Sequence, residues 1–277
     1  MHDQDLIQGN GPNIYTMWPG YLFRYGGFIL SLFLIGIGYM LDRQVLIATG
    51  FVILAGTFFL YWAARWTTSR HYDADQLQVT EALFGMSQVQ PGDMLAYIDL
   101  GLRAPAIALS RHLTTGQLAV IDVFNPQLTS GRELARARQQ VPSFAADPRL
   151  VWFDSGLNLL PLPDSSVPAV FMPLVLSEFT QHGDRQTLLR EVNRILWPNG
   201  RLLFAEQNTS WLNWLSLSPG SSRLQPSSYW RRLLAEAGFN VLRHEEIHGL
   251  TICIRADKPS PYAGKQLSLD LRFQPIN

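Results

Sequence analysis

The chain has 277 residues, with 22 Lys and Arg against 22 Asp and Glu, and so no formal net charge. That balance supplies no positive field to hold a phosphate backbone, and nucleic acid is set aside as a partner class. Cys253 is the single cysteine, which excludes an intramolecular disulfide and a cysteine zinc site and fits a reducing compartment.

Residues 26–41 read GGFILSLFLIGIGYML and residues 45–64 read VLIATGFVILAGTFFLYWAA, both free of charged side chains. The second has the length at which a helix crosses a bilayer, about 20 residues for roughly 30 Å of hydrocarbon. The first reaches that length when it is extended back through Phe23 and Leu22, with Arg24 snorkelling to the headgroups. Expected spans are therefore 22–41 and 45–64. Asp42, Arg43 and Gln44 leave room only for the turn of an antiparallel hairpin. Tyr21, Tyr25, Tyr61, Trp62 and Trp66 gather at its open end, flanked by Arg24, Arg65 and Arg70. By the positive-inside rule both termini, and the domain that follows, face the cytoplasm. A secretory signal needs an early basic region and one short apolar core; here the start is acidic and two apolar runs follow. Two buried core helices are the competing reading, against which stands the length of the charge-free runs. Gly36, Gly38, Gly50, Ala55 and Gly56 are the small residues expected to let the helices approach. The chain is expected to divide into a tail and hairpin at 1–66 and one domain at 67–277.

Beyond Arg70 short apolar runs alternate with mixed helical stretches, the pattern of a β/α domain. A helix is predicted over 73–89, stopping at Pro91-Gly92. Then come a strand at 94–99, a helix at 104–112, a strand at 118–123, a helix at 131–140 and a strand at 150–153. A buried strand follows at 169–175, a helix at 185–196, a strand at 201–206, a helix at 228–237 and two strands at 240–244 and 250–255. Short β-α connections point to a parallel sheet. In such a sheet ligands bind beyond the carboxyl ends of the strands, where the strand order reverses. Asp99 with Gly101, Asp122 with Asn125, Asp154, Ser177 with Glu178, and Glu206 all follow predicted strands. Singly, such carboxylates are helix caps or turn formers; a succession of them points to a site.

Over residues 91–258 the chain resembles the class I S-adenosylmethionine-dependent methyltransferases of the small type 11 kind. The resemblance rests on PGDMLAYIDLGL at 91–102, LAVIDVFNPQL at 118–128, WFDSGLNLLPLPDSSVPAVFMPLVLSEF at 152–179, REVNRILWPNGRLLFAEQ at 190–207 and YWRRLLAEAGFNVLRHEE at 229–246. It implies a doubly wound, mostly parallel, seven-stranded Rossmann-like sheet behind the two-helix transmembrane hairpin, with S-adenosyl-L-methionine as cofactor. Its implied contacts are Asp99, Gly101, Arg103 and Leu176, with Asp122 on the ribose hydroxyls and Asp154 on the adenine amino group. The glycine loop departs from acid-x-Gly-x-Gly-x-Gly, since Arg103 and Pro105 stand where later glycines belong. Arg103 is expected to bring a long side chain into the cofactor's space, or to pair with the cofactor's carboxylate. Pro105 is tolerable if it opens the helix. Val167-Pro168-Ala169 also lacks the acid the family places before its fourth strand.

The G-x-G-x-x-G spacing of a dinucleotide site is absent after Asp99, as are a G-x-S-x-G elbow and a paired-His metal spacing. Methyl transfer needs alignment more than acid-base chemistry. If a base is used, Glu178, His182 and Glu206 are the polar residues at strand ends. His182 reads equally as the residue before a helix capped by Asp184. Trp211, Leu212, Trp214, Leu215 and Leu217 suggest an apolar lid or simple packing on the sheet. With the tether, they favour a small lipophilic acceptor at the bilayer. The alternative is a non-catalytic module that binds or scaffolds at the membrane.

Overall fold

A computed structural model describes residues 14–129, 132–139, 141, 147–209, 224–247, 249 and 251–260, with side chains at all of these except 14–24, 63–77, 132–133 and 136. Tyr21, Arg24, Arg65, Trp66 and Arg70 as side chains, the apolar stretch around Trp211 to Leu217, and the tail beyond 260 lie outside it.

Helix α1 (Ile14–Met40) is followed at once by α2 (Gln44–Ser87). A Cβ on Gly27 would lie 2.7 Å from Thr57 Oγ1, one on Gly38 2.9 Å from the Ile47 nitrogen, and one on Gly50 2.9 Å from the Ser31 carbonyl. Glycine at these positions lets the two helices touch. Gly36 and Gly56 meet nothing within 4 Å, so of the expected glycines Gly38 and Gly50 form the contact, and Gly27 joins them. Ile29, Leu32, Phe33, Phe51, Val52, Phe58 and Phe59 point outward and are exposed. Among the described residues one segment, Gln44–Trp62, is long and apolar enough to cross a bilayer, and only 6% of it is buried; Tyr25–Met40 is a shorter apolar helix.

The sequence pattern ends the second apolar helix near residue 64 and starts another near Asp73. The structure instead keeps α2 helical for 44 residues. No Gly or Pro occurs between Trp62 and Phe84 to interrupt it. The chain forms two compact units, Met1–Asp73 with Thr209–Leu224 and Ala74–Asn208 with Gln225–Asn277, and the division falls within α2.

The second unit is built on a seven-stranded sheet of order β3-β2-β1-β4-β5-β7-β6. Its strands are β1 (Met94–Asp99), β2 (Gln117–Asp122), β3 (Leu150–Asp154), β4 (Val167–Pro173), β5 (Leu196–Gln207), β6 (Asn240–Ile247) and β7 (Thr251–Asp257). β7 runs antiparallel to both neighbours. The remaining helices are α3 (Ala104–Ser110), α4 (Arg132–Gln139), the 3-10 turn η1 (Leu176–Glu178), α5 (His182–Ile195) and α6 (Ser227–Glu236). β5 starts earlier than its apolar run suggests, because Leu196 pairs with Val167 before the register shifts past the Trp-Pro-Asn-Gly turn.

Both faces of the sheet are covered, as period-two alternation within apolar strands requires. Leu95, Tyr97, Leu118, Val120, Phe171, Leu203 and Cys253 pack under Val79, Leu83 and Met86 of α2 and Ala106 and Leu109 of α3. The alternate residues, among them Ile98, Ile121, Met172, Phe204 and Ile254, pack under Leu134 of α4, Leu188 and Val192 of α5 and Trp230 and Leu233 of α6. The last turns of α2 thus belong to the domain core. Arg201 Nη1 donates to the Ser87 and Gln88 carbonyls at 2.8 Å each, and Arg255 Nη1 to the Met86 carbonyl at 3.3 Å and to Gln88 Oε1 at 3.0 Å. These guanidiniums satisfy carbonyls that the end of a helix leaves unbonded. Arg201→Ala is expected to lower the unfolding free energy by about 2 kcal/mol through loss of these charge-assisted bonds, as read from urea unfolding of the purified protein.

Candidate functional site

The three strands on one side of the sheet end level with one another. Asp99 pairs with Asp122 and Asp122 with Asp154, so three carboxylates form one row across the carboxyl ends of β1, β2 and β3. The next strand in the chain, β4, lies on the other side of β1. The row therefore borders the place where the strand order reverses.

Asp99 builds the loop that leaves β1. Its Oδ1 accepts the Leu102 N–H at 3.3 Å and its Oδ2 the Arg103 N–H at 3.0 Å. The carboxyl is 5% exposed, and burial raises its pKa above the ordinary aspartate range, with the nearby Asp122 charge acting the same way. Gly101 takes φ +81°, and a Cβ there would lie 2.8 Å from Asp122 Oδ2. Glycine is required on both counts, conformation and clearance. Arg103 also has positive φ, 62°. Pro105 lies in the first turn of α3, where proline removes no helical bond.

The expectation that Arg103 fills the space beside Gly101 is corrected by the structure. Its guanidinium lies over the Trp152 ring of β3, 5.2 Å from the centroid. The cation beside Gly101 is Arg138 of α4, which donates through Nη1 to Asp122 Oδ1 at 2.9 Å, to Oδ2 at 2.7 Å and to the Leu100 carbonyl. It also stacks on the Phe124 ring at 4.2 Å. Asp122 Oδ1 accepts the Phe124 N–H at 3.0 Å as well. Asp154 is exposed.

A second cluster lies at the ends of β4 and β5. Glu206, wholly buried, accepts the Leu176 and Ser177 N–H groups at 2.6 and 3.2 Å. Arg185, 5% exposed, donates through Nε to the Leu176 and Phe179 carbonyls at 3.0 Å each, through Nη2 to Phe179 at 2.7 Å and through Nη1 to the Tyr229 hydroxyl at 2.9 Å. Together they clamp η1 at both its amide and its carbonyl groups.

Of the residues picked from sequence, Asp99, Gly101, Asp122 and Asp154 come together. Leu176 contributes its N–H to Glu206 while its side chain is fully buried in the core. Glu178 is buried within η1. His182 opens α5, with Nδ1 3.1 Å from the Tyr229 hydroxyl and Nε2 3.4 Å from Glu236. The helix starts after Gln181, so Asp184 sits inside its first turn and is not the cap. Arg138 and Arg185 were missed. Arg138 carried a usable signal: an arginine in the helix following the strand that ends in Asp122. No local pattern distinguishes Arg185 from a surface arginine.

Burial lifts the Glu206 carboxyl to about 7, against the lowering by Ser177, Leu176 and Arg185. A carboxyl whose pKa rises on folding adds stability that is complete below its ordinary value of 4.5 and is lost as pH rises through about 7. Relative to wild type, Glu206→Gln should therefore gain stability by up to about 3 kcal/mol between those two pH values, with no further change above. Asp99 acts in the same direction; Asp147, lowered to about 2 chiefly by Arg149, acts in the opposite one. Both cancel in the comparison. Urea unfolding of both proteins from pH 4.5 to 8 measures the difference, and a pH-independent difference would show the carboxyl to be ionised throughout.

Residues 100–204 match the family profile described as a methyltransferase domain. No curated protein matches the chain by sequence. Among solved structures, a SAM-dependent methyltransferase from Aquifex aeolicus is 18% identical, with 65% of this chain and 89% of that one covered at a TM-score of 0.51. The pyocyanin biosynthetic protein PhzM is 18% identical over 67% of this chain and 55% of its own, also at 0.51. At such identities the structures share the fold. Residues 100–204 thus carry a methyltransferase-domain match that takes in Asp122 and Asp154, and the sheet with its strand order has the class I S-adenosylmethionine-dependent methyltransferase fold.

Proposed function

We propose that the protein transfers a methyl group from S-adenosylmethionine to a small lipophilic acceptor at a bilayer. The observation that carries the donor half is the row Asp99, Asp122, Asp154 beside Gly101, over which only an exchangeable ion-paired guanidinium, that of Arg138, is packed against Asp122. These residues fit the cofactor. Asp122 would hold the ribose hydroxyls, Asp154 the adenine amino group, and the backbone at Gly101, once Arg138 swings off it, the methionine part. Asp99 acts one step removed, since both its oxygens are spent holding the loop. Arg103 lies over Trp152, and the guanidinium over Gly101 is that of Arg138. Arg138 must turn away from Asp122, and with side chains 27% and 17% exposed both can exchange their pairing for water.

The bound cofactor supplies an electrophilic methyl on a sulfonium. The chain's task is alignment, worth more here than proton transfer. Glu206, wholly buried and bonded to the η1 backbone, serves as a positioning residue for the β4 end, where an acceptor would enter. Exposed apolar side chains on α1 and α2 support insertion as a two-span hairpin, and the basic residues that flank it in the sequence favour a cytoplasmic domain with both termini on that side. Tethering raises the effective concentration of substrates dissolved in the same bilayer. One observation favours a non-catalytic binding module instead: Asp122 already has a partner in Arg138.

Titration calorimetry of S-adenosylmethionine and its demethylated product into the full chain in lipid nanodiscs tests the reading. Binding that Asp122→Ala weakens by at least about tenfold is expected, together with transfer of labelled methyl into the organic phase of a lipid extract. A folded chain that binds neither compound would leave the membrane-tethered module as the reading.

A further inference from the structure

We propose that Arg138 is a built-in latch on the cofactor cleft, competing with the ligand's ribose for Asp122. This rests on the reading that Asp122 holds those hydroxyls.

The guanidinium occupies the clearance that Gly101 provides. A Cβ on Gly101 would lie 1.9 Å from Arg138 Nη1 and 2.4 Å from its Cζ, so the cation sits in van der Waals contact over the glycine. There it spans the ends of two strands, taking the Leu100 carbonyl at the end of β1 and both carboxylate oxygens at the end of β2. The Phe124 ring supports its face. Asp122 Oδ1 has in addition the Phe124 N–H. With the guanidinium across both oxygens, ribose hydroxyls and Arg138 cannot use the carboxylate together, and the layer above Gly101 holds only one of them.

The pairing is reversible by construction. Charge-assisted bonds are the strong class of hydrogen bond, yet this pair retains solvent access at both side chains, so water can replace it without leaving a buried unpaired charge. When the competent state is only a fraction of the population, the apparent dissociation constant rises by the inverse of that fraction. The latch therefore weakens cofactor binding while stabilising the ligand-free protein. These effects have opposite signs for one substitution, which a residue of purely structural or purely ligand-binding role does not produce.

The test uses the full chain in nanodiscs and S-adenosylhomocysteine as probe. Arg138→Met keeps an unbranched apolar stem but removes the guanidinium and its donors. The variant is expected to melt at a lower temperature than wild type without ligand and to bind the probe about tenfold tighter or more by calorimetry. A variant that binds equally or more weakly, while wild type binds, overturns the latch and leaves the cofactor reading in place. If a folded Arg138→Met and wild type both fail to bind, the latch and the cofactor reading fall together.

Discussion

Parallel pairing of β1, β2 and β3 in level register is the constraint on which the remainder of the site depends. Each of these strands ends in an aspartate, and the ladder sets the three at one height across the sheet. Because strand side chains alternate with a period of two, a slip of one residue would move an acid to the other face and its apolar neighbours into solvent. Register is thus held by the apolar residues beneath the row, Ile98, Ile121 and their neighbours, packed under α4 and α5. Hydrophobic packing on the opposite face of the strands, one residue before each acid, fixes where the charges stand.

The same row shows how differently three equivalent carboxylates can be used. Asp99 is buried and folds the chain around itself, accepting two amides of the loop it precedes. Asp122 is half-shielded and ion-paired. Asp154 faces water. Across the reversal point the counterpart is a clamp, with Glu206 and Arg185 gripping opposite ends of η1. On the β1 to β3 side Asp122 and Asp154 keep access to water, whereas Asp99 and the Glu206 and Arg185 pair are committed to the backbone.

The fold was legible because the strands are short apolar runs bounded by Pro-Gly, acid-Gly and Pro-Asn-Gly turns, and the helices between them are amphipathic. Where the pattern misled, the cause is local. Nothing in the Trp62 to Phe84 stretch breaks a helix, yet its polarity changes midway, so composition suggested two helices where the backbone makes one. Asp99, Gly101, Asp122 and Asp154 could be found because strand ends are readable. The position of Arg138 after the Asp122 strand offered a signal, but its pairing could not be read, since a long side chain on a helix selects its partner through tertiary geometry. The steric warning at Arg103 was sound in kind but assigned to the wrong arginine; the aromatic ring of Trp152, a neighbour only in three dimensions, draws Arg103 aside.

Cys253 lies at the centre of β7, fully enclosed between β5 and β6 and the helices above. Burial, aided by the Glu245 charge, pushes its thiol up to about 12, so almost no thiolate exists at neutral pH while the sheet is closed. The sole sulfhydryl of the protein is therefore silent toward alkylating reagents in the native state and becomes reactive only when the antiparallel edge opens. It is an internal clock for that opening, read by mass. A cysteine introduced on the surface for a dye or spin label can be modified selectively with the native one left in place.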